Sequence, residues 1–497
     1  MQEPEPISAK LRDALQGRNS HQWFKVPVQI VGGRNPQVLP RHLEIHCLTC
    51  GELLRKIDLA KRKNYQFALA QINGDIEGLR TTIEIEISAK GIEGKGCGGK
   101  AGKKHCLAIT HSKESLNHLT ILIKDLDDTD EGFSERKYRT YTAFLIGVDE
   151  PKSSRVNLVG VVIPSGKGKE ASILSYGVQL LETDPSNYLP TERDLEDFHK
   201  YFRDNADVVN DLVSGHAPRI VGKNRIKEGI ILVGHSPSLI QLEGDVPQRA
   251  LLRLMQVGPT KTAKSATNKA YTDQYRVGEW ASGESASRAG LTYFVDIDSR
   301  MIEWGLLPRN DLGICVVNGL HIFKSIEFLE ALESMKIVVN RAIKGSAPCR
   351  TRILADANPE GSFKDVKYPP MYRCVELLKT PFFHGRPEMI TRFDFFFVTR
   401  MNDVSQEDID RGIINPPKPK ILAEIISKHM KWVFSLHPNQ IKVGIDQEEN
   451  DKINSLIAEA NSKLLRAFGG EEIPIVHRGS FYQILRVALA YAAPSFH

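Results

Sequence analysis

Residues 251–265 read Leu-Leu-Arg-Leu-Met-Gln-Val-Gly-Pro-Thr-Lys-Thr-Ala-Lys-Ser and join a mainly apolar run to a loop rich in threonine and lysine. Apolar residues at neighbouring positions are typical of a strand buried on both faces of a parallel sheet. A loop that starts with Gly258 and leads into a helix is the context in which backbone amides bind phosphate groups. The stretch therefore predicts an α/β domain with a phosphate-binding loop.

The lysine and hydroxyl residues of this loop indicate its chemistry. In such loops the backbone N–H groups and the helix N-terminus bind phosphates, a lysine pairs with the β and γ oxygens, and a serine holds Mg²⁺. We therefore predict a site for ATP and Mg²⁺ at Gly258, Thr262, Ala263, Lys264 and Ser265. Because Ala263 stands where the common pattern has glycine, a solvated surface turn is the alternative interpretation.

The sequence around the loop continues the α/β pattern. Compact apolar runs at 313–318, 351–358 and 393–399 alternate with helical segments, which predicts an α/β core over 212–414. A proline-rich segment at 415–420 then breaks the chain, and helical patterns follow it. We predict a helical lid over 415–497 with helices at 421–433, 447–467 and 480–494.

The part of the chain before residue 187 has a different pattern. Residues 1–25 are polar and are expected to form an arm, whereas 26–186 contains short runs rich in valine, isoleucine and threonine. Thr82–Ile87 alternates with period two, which predicts a half-exposed strand. Turns containing glycine and lysine separate the runs, which favours a small barrel, and 187–211 is predicted to be a helical connector.

Composition excludes several classes of protein. A length of 497 residues allows about three domains, and 41% hydrophobic with 26% charged residues is ordinary for a globular chain. Collagen, disorder and a disulfide-rich miniprotein are thereby excluded. The net charge of +5 is compatible with local basic patches. No apolar stretch approaches 18 residues and the first residues lack a secretory signal, so we expect an intracellular, cytoplasmic protein.

Several ordered segments together resemble one family. Ala289-Gly290-Leu291-Thr292 follows Lys264 at the interval found in the motor domain of the minichromosome maintenance (MCM) replicative helicases, which are AAA+ ATPases, and the chain is similar to a divergent, archaeal-type member. The other segments that carry the resemblance are Ala217–Lys223, Glu243–Val246, Glu303–Leu307 with Asp311 and Gly313, Ala357–Pro359, and Thr391–Asp394.

The resemblance implies a multidomain fold, and it implies roles for individual residues. The fold would be an N-terminal β OB-fold with a zinc-binding insertion, then an α/β AAA+ P-loop domain with a C-terminal helical lid. Asn358 would be sensor 1, and Arg392 would be an arginine finger reaching a neighbouring subunit. The alternatives are a strand-end cap for Asn358 and a surface salt bridge for Arg392. For sensor 2 both Arg478 and Arg486 stay open.

One departure from the family affects catalysis directly. Where the Walker B strand of the family ends in Asp-Glu, this chain has Asn318 and Gly319. The first acid would hold Mg²⁺ and the second would polarise the attacking water. Losing such groups commonly removes a factor on the order of 10²–10⁴ in rate, so we predict weak or absent ATP hydrolysis. Lys261 also replaces a glycine of the family loop.

The resemblance also implies DNA as a partner, single- or double-stranded and without sequence specificity. Lys167 and Lys169 lie on a predicted glycine-rich hairpin tip, a setting suited to phosphate contacts, although most such turns are simply solvated. Arg341 or Lys344 would take the DNA contact of the hairpin that the family projects toward its channel. Subunits would assemble into a ring, alone or with MCM paralogues.

Four cysteines suggest a metal site. Cys47 and Cys50 form a CxxC pair, and Cys97 and Cys106 follow in a loop rich in glycine and lysine. Four sulfur ligands would suit tetrahedral Zn²⁺, and the family carries zinc in its N-terminal domain. The spacing of the second pair is unusual, and His105 is an alternative fourth ligand.

Three other functional interpretations accompany the impaired homologue. The chain could be an active ATP-dependent DNA helicase, or a mobile-element replication adaptor, which agrees with the expected absence of the family's terminal parts. A further alternative is a serine hydrolase, since residues 232–238 are similar to a nucleophile elbow with Ser236 as nucleophile. Ser238 replaces the final glycine of that motif.

Overall fold

A computed structural model of the chain divides into two compact units. The first unit comprises Met1–Leu181, Val295–Glu303 and Ala342–Gly345, and the second comprises Glu182–Phe294, Trp304–Arg341 and Ser346–His497. The structure describes residues 6–16, 22–34, 36–75, 83, 107–126, 140–149, 151, 154–163, 171–181, 184–241, 247–282, 288–298, 300–320, 326–341, 343–358, 392–400, 404–441, 447–468 and 480–495.

The first 181 residues contain ten strands and two α-helices among those described. They are β1 (Ile7–Ser8), α1 (Leu11–Gln16), β2 (Trp23–Gly33), β3 (Gln37–Pro40), β4 (His42–Cys47), β5 (Leu53–Asp58), α2 (Tyr65–Asn73), β6 (Leu107–His111), β7 (Ser115–Asp125), β8 (Tyr141–Ile146), β9 (Arg155–Ile163) and β10 (Ser172–Leu180).

Five of these strands close into a ring. β2 pairs antiparallel with β9 and with β7, β7 pairs with β8, β8 pairs parallel with β10, and β10 returns to β9. Phe24, Val26 and Val28 alternate along β2 and are buried with apolar side chains from the other four strands. This period-two burial is why the short valine- and isoleucine-rich runs form a closed sheet. The small barrel predicted from the sequence is thus present.

One predicted strand is not observed where the structure can be compared. Of the run Thr82–Ile87, the structure describes Ile83, which is helical and fully buried. Ile83 packs with Leu43, Ile45 and Phe67, so burial in this cluster outweighs the strand preference of a β-branched residue. The strand prediction is wrong at Ile83, and the rest of the run lies outside the described residues.

The remaining elements follow in chain order. They are α3 (Glu192–Phe198), α4 (Val208–Gly215), α5 (Asn224–His235), β11 (Leu239–Ile240), β12 (Gln248–Arg249), β13 (Arg253–Val257), α6 (Lys264–Tyr275), β14 (Glu279–Ser282), α7 (Arg288–Leu291), β15 (Tyr293–Asp296), β16 (Met301–Trp304), α8 (Leu306–Arg309), β17 (Ile314–Asn318), α9 (Ile326–Ser334), β18 (Lys336–Asn340), β19 (Lys344–Pro348), β20 (Arg352–Ala357), β21 (Phe395–Val398), α10 (Gln406–Ile414), α11 (Ala423–Ser435), α12 (Gln447–Phe468) and α13 (Ser480–Ala492).

The second unit is built on a five-stranded parallel sheet in the order β14-β17-β20-β13-β21. β13 and β20 are buried along their whole lengths, as expected for strands covered on both faces. Apolar side chains from α5, α6 and α11 pack against them in one core. The predicted α/β core is therefore confirmed, and the loop predicted to bind phosphate lies at the carboxyl end of β13.

The helices at both ends of this unit also match their predictions. Thr191 caps α3 with a capping box, in which its hydroxyl accepts from the Asp194 amide and the Asp194 carboxylate accepts from the Thr191 amide. α11, α12 and α13 begin and end within two residues of the predicted helices. The proline-rich segment before α11 accounts for the break in the chain.

Candidate nucleotide-binding site

The P-loop, residues 258–265, connects the end of β13 to the first turn of α6. Gly258 begins the loop close to Thr399, which follows β21. A Cβ at position 258 would lie 2.5 Å from the Thr399 carbonyl oxygen, so only glycine fits there without a shift of the backbone. The Thr262 and Thr399 hydroxyls are 2.9 Å apart, which holds the loop against the sheet.

Two residues of the P-loop have a left-handed backbone. Lys261 has φ +65° and Ala263 has φ +62°. For a residue with a side chain this conformation costs roughly 1–2 kcal/mol. The strain at Lys261 gives the physical reason why glycine suits that position, and it shows that the loop keeps its turn although the glycine is absent.

Lys264 lies beneath the loop rather than in solvent. Its ammonium group donates hydrogen bonds of 2.7 Å to the carbonyl oxygens of Gly258 and Pro259. Burial lowers the pKa of Lys264 to about 8, with Lys223 acting in the same direction and the charge of Asp356 acting against it. The lysine is therefore held at the base of the loop, and its pairing with phosphate stays a prediction.

Ser265 connects the P-loop to the neighbouring strand β17. Its hydroxyl donates a 2.8 Å hydrogen bond to Asn318 Oδ1, at the carboxyl end of that strand. The structure thus brings together the serine predicted to hold Mg²⁺ and the residue at the position of the missing Walker B acid. Asn318 is neutral, and Gly319 after it contributes only a backbone amide.

Sequence patterns did not point to Asp356, which lies beside this pair. Asp356 is on β20, its Oδ1 accepts a 2.9 Å hydrogen bond from the Gly319 amide, and it is 3% exposed. Burial raises its pKa, while the Gly319 amide, the Ser265 hydroxyl and the Lys264 charge act in the opposite direction. The available signal was an acid inside Arg352–Ala357, which is otherwise largely an apolar strand.

The two other predicted catalytic residues occupy different surroundings. Asn358 directly follows β20 and is half-buried at the same edge of the sheet as Asn318. Arg392 donates a 2.6 Å hydrogen bond to Glu333, and its side chain is 33% exposed. In the single chain Arg392 is thus a surface ion-pair residue, and its role toward a neighbouring subunit stays a prediction.

Several other residues of the recognised motifs have structural contacts. Gly305 approaches the α7 end so closely that a Cβ would lie 2.7 Å from the Leu291 carbonyl oxygen. Asp311 accepts from both the backbone amide and the guanidinium of Arg350. Packing therefore explains Gly305 and ion pairing explains Asp311, both inside the second unit.

The residues predicted to contact DNA are only partly described. Arg341 follows β18, Lys344 begins β19, and both are exposed on a two-stranded ribbon. The Arg341 guanidinium carbon lies 5.9 Å from the centre of the Tyr293 ring. Lys167 and Lys169 lie outside the described residues.

Of the residues predicted to bind zinc, the structure describes Cys47 and Cys50. Cys47 is buried at the end of β4 and Cys50 is exposed in the turn that follows, whereas Cys97, His105 and Cys106 lie outside the described residues. Among the residues that are described, no group of three His, Cys, Asp or Glu side chains is placed to hold a metal ion.

Ser236 has the environment of a structural hydroxyl. It is fully buried, its Oγ donates to the Val233 carbonyl oxygen at 2.8 Å, and it accepts from the Leu252 amide at 3.1 Å. A nucleophile elbow presents its serine to substrate, and this geometry does not.

No helix in the described part of the chain is long and apolar enough to cross a membrane.

Comparison with known proteins agrees with the P-loop geometry. A family model described as the MCM P-loop domain matches residues 194–416. The chain is 29% identical over 228 residues to the DNA replication licensing factor mcm-6 of Caenorhabditis briggsae, which covers 44% of this chain and 27% of that protein.

Two further relatives give the same result. The DNA replication licensing factor MCM6 of Arabidopsis thaliana is 29% identical over 262 residues, which is 50% of this chain and 28% of the relative. The factor mcm6 of Dictyostelium discoideum is 31% identical over 205 residues, 38% of this chain and 22% of the relative. The matched region is thus less than a third of the length of each relative.

Proposed function

Because this chain belongs to the MCM family of AAA+ proteins through its P-loop domain, we propose that it binds ATP with Mg²⁺ and acts on DNA in replication, as a homologue of the replicative helicase with impaired hydrolysis. The hydrogen bond of 2.8 Å between Ser265 and Asn318 carries the proposal. It joins the P-loop serine to the strand that holds Mg²⁺ in P-loop ATPases, with an amide in place of the acid.

The impairment follows from the side chains at the end of β17. Asn318 is neutral, and Gly319 has no side chain that could orient an attacking water. Nucleotide binding would rely chiefly on the loop amides and Lys264, which the chain retains, whereas hydrolysis would also need the missing groups. The chain would therefore bind ATP and hydrolyse it slowly.

The test compares ATP binding with DNA-stimulated hydrolysis for the wild type and for Lys264→Ala. The matched control is Lys269→Ala, which changes a half-buried lysine of α6 paired with Asp273. Binding lost in Lys264→Ala, with negligible hydrolysis in all three proteins, would support the proposal. Robust hydrolysis that disappears only in Lys264→Ala would refute the impairment and favour the active helicase.

DNA binding is proposed for the first unit and for the exposed ribbon. We assign the ring β2-β9-β10-β8-β7 to the OB-fold, because a five-stranded closed barrel with its single parallel pair between β8 and β10 agrees with that fold. Lys167 and Lys169 would contact phosphates from one of its loops, and Arg341 or Lys344 would do so from the ribbon.

The affinity of the chain for DNA should fall steeply with salt as counterions are released. Binding that does not change with salt would count against these contacts.

Zinc and assembly complete the proposal. Cys47 and Cys50 would bind Zn²⁺ with Cys97 and Cys106, and metal analysis of protein purified without chelator should find about one zinc per chain, lost in Cys47→Ser.

Subunits would form a ring, alone or with paralogues, with Arg392 at the nucleotide of the next subunit. The protein would work in the compartment that holds replicating DNA, and for an archaeal-type homologue this is the nucleoid.

A further inference from the structure

Asn318 and Asp356 occupy neighbouring strand ends of one parallel sheet. Val317 of β17 pairs in register with Ala355 of β20, and each of the two polar residues follows its member of that pair directly. Residues at matched positions on parallel neighbours project to the same face. The chain therefore has an acid one strand away from the position where the Walker B acid is missing.

Within the described residues, only one of the two carboxylate oxygens of the buried Asp356 accepts a hydrogen bond. Its Oδ1 accepts from the Gly319 amide, whereas Oδ2 is buried and has no hydrogen-bond partner within the described residues. Leaving a buried carboxylate oxygen unpaired is costly, so a second partner is expected for it. The nearby Ser265 and Lys264 belong to the predicted Mg²⁺ and phosphate positions.

The donor atoms at this point suit a hard cation. Ser265 offers a hydroxyl, Asn318 an amide oxygen and Asp356 a carboxylate, and the first two are already 2.8 Å apart. Mg²⁺ is typically bound by oxygen atoms from one or two carboxylates together with substrate phosphates. A single acid among neutral oxygen donors is therefore sufficient, provided that the nucleotide supplies the remainder.

We propose that Asp356 takes over the function of the missing Walker B aspartate, so that the acid which binds the Mg²⁺ of Mg-ATP is carried on β20 instead of β17. The inference rests on the proposed ATP binding and deepens it. Asp356 supplies the negative charge that binds the metal. It does not replace the second acid of the family, which polarises water, and Gly319 at that position has no side chain. The chain would accordingly retain Mg²⁺-dependent nucleotide binding while hydrolysing slowly.

A purely structural role for Asp356 is the competing explanation, since it also holds the Gly319 amide. Asp356→Asn separates the two roles because an asparagine oxygen can accept the same hydrogen bond but carries no charge. The matched control is Asp273→Asn, which changes an exposed acid on α6. Thermal unfolding of each variant checks that the fold is kept.

The experiment titrates a fluorescent ATP analogue into each protein with Mg²⁺ and with EDTA. Wild type and Asp273→Asn should bind on the order of tenfold more tightly with Mg²⁺, and Asp356→Asn should lose this difference. Equal tightening in Asp356→Asn, or no Mg²⁺ effect in the wild type, would overturn the inference while leaving nucleotide binding intact. No binding by the wild type in either condition would overturn the proposed ATP binding itself, and the inference with it.

A second variant protects the test against a folding defect at position 356. The exchange Asn318→Asp with Asp356→Asn returns the acid to the family position and should restore Mg²⁺-dependent binding. Electron paramagnetic resonance of Mn²⁺ with ATP gives an independent readout. The bound Mn²⁺ signal should be present in the wild type and in the exchange variant and weak in Asp356→Asn. A signal of equal strength in Asp356→Asn would exclude Asp356 as a ligand.

Discussion

Arg486 on α13 donates a hydrogen bond of 2.6 Å to Asp394, which directly precedes β21. Arg249 donates to the same carboxylate oxygen at 3.0 Å, and the Arg253 amide donates to the other oxygen at 3.0 Å. Asp394 thereby ties the last helix to the base of the sheet. Of the two sensor 2 candidates, Arg486 is engaged in this network, and Arg478 lies outside the described residues.

Replacing Asp394 should destabilise the second unit severely. The Asp394 side chain is 1% exposed, and Asp394→Ala would leave Arg249 and Arg486, whose side chains are 16% and 13% exposed, without their acid. Breaking a buried pair in this way costs about 3–5 kcal/mol. Denaturant unfolding measures the loss, with Asp204→Ala at the exposed Arg203 pair as a control that should change little. A loss below 1 kcal/mol for Asp394→Ala would contradict the anchoring role.

Lys261→Gly should stabilise the protein. Glycine adopts the left-handed backbone at position 261 without strain, and this gain exceeds the entropy that glycine adds to the unfolded chain. The expected net gain is about 0.5–1 kcal/mol in the free energy of unfolding. Lys418→Gly, at a loop lysine without a left-handed backbone, should not stabilise. Equal effects of both substitutions would rule out backbone strain as the cause.

Gly305→Ala should be destabilising because of the close approach to Leu291. The added methyl would sit 2.7 Å from a carbonyl oxygen, and the backbone would have to move. Overpacking of this kind typically costs about 1–3 kcal/mol. Gly215→Ala is the matched control, since its Cβ would meet Pro419 at an ordinary 3.4 Å. Thermal unfolding of the two variants gives the comparison, and similar melting temperatures would argue against steric conflict at Gly305.

Acid should weaken the second unit before its carboxylates titrate. Burial lowers the pKa of His216 and of His235 to about 4, and it lowers the pKa of His429, which stacks on Phe202 with ring centres 4.0 Å apart, well below its ordinary value. The unfolded chain binds these protons near pH 6.5, so stability is fully present above that pH.

Between about pH 6.5 and 4, each of these histidines should remove about 1.4 kcal/mol of stability per pH unit. Urea unfolding at pH 7.5, 6.0 and 5.5 measures the slope. His429→Leu should reduce that slope, because it removes one of the three imidazoles that titrate. A free energy of unfolding that stays constant from pH 7.5 to 5.5 would refute the burial of neutral imidazoles.

The amino-acid sequence determined the parts of this protein that depend on local pattern. The apolar run before Gly258 predicted β13 and the loop to Lys264, since a parallel strand, a phosphate loop and a helix start are encoded in adjacent residues. The capping box at Thr191 and the helices after the proline-rich segment are likewise local signals. The short runs rich in valine, isoleucine and threonine indicated barrel strands such as β2 in the same way.

The tertiary structure decided what depends on residues far apart in the chain. Asp356 meets Gly319 because β20 pairs with β17, and strand register cannot be obtained from either strand alone. Arg486 reaches Asp394 because α13 packs against the base of β21, which no local pattern encodes. Ile83 is helical because packing outweighed its strand preference. The P-loop could thus be predicted from local sequence, whereas the position of Asp356 beside it depends on the pairing of β20 with β17.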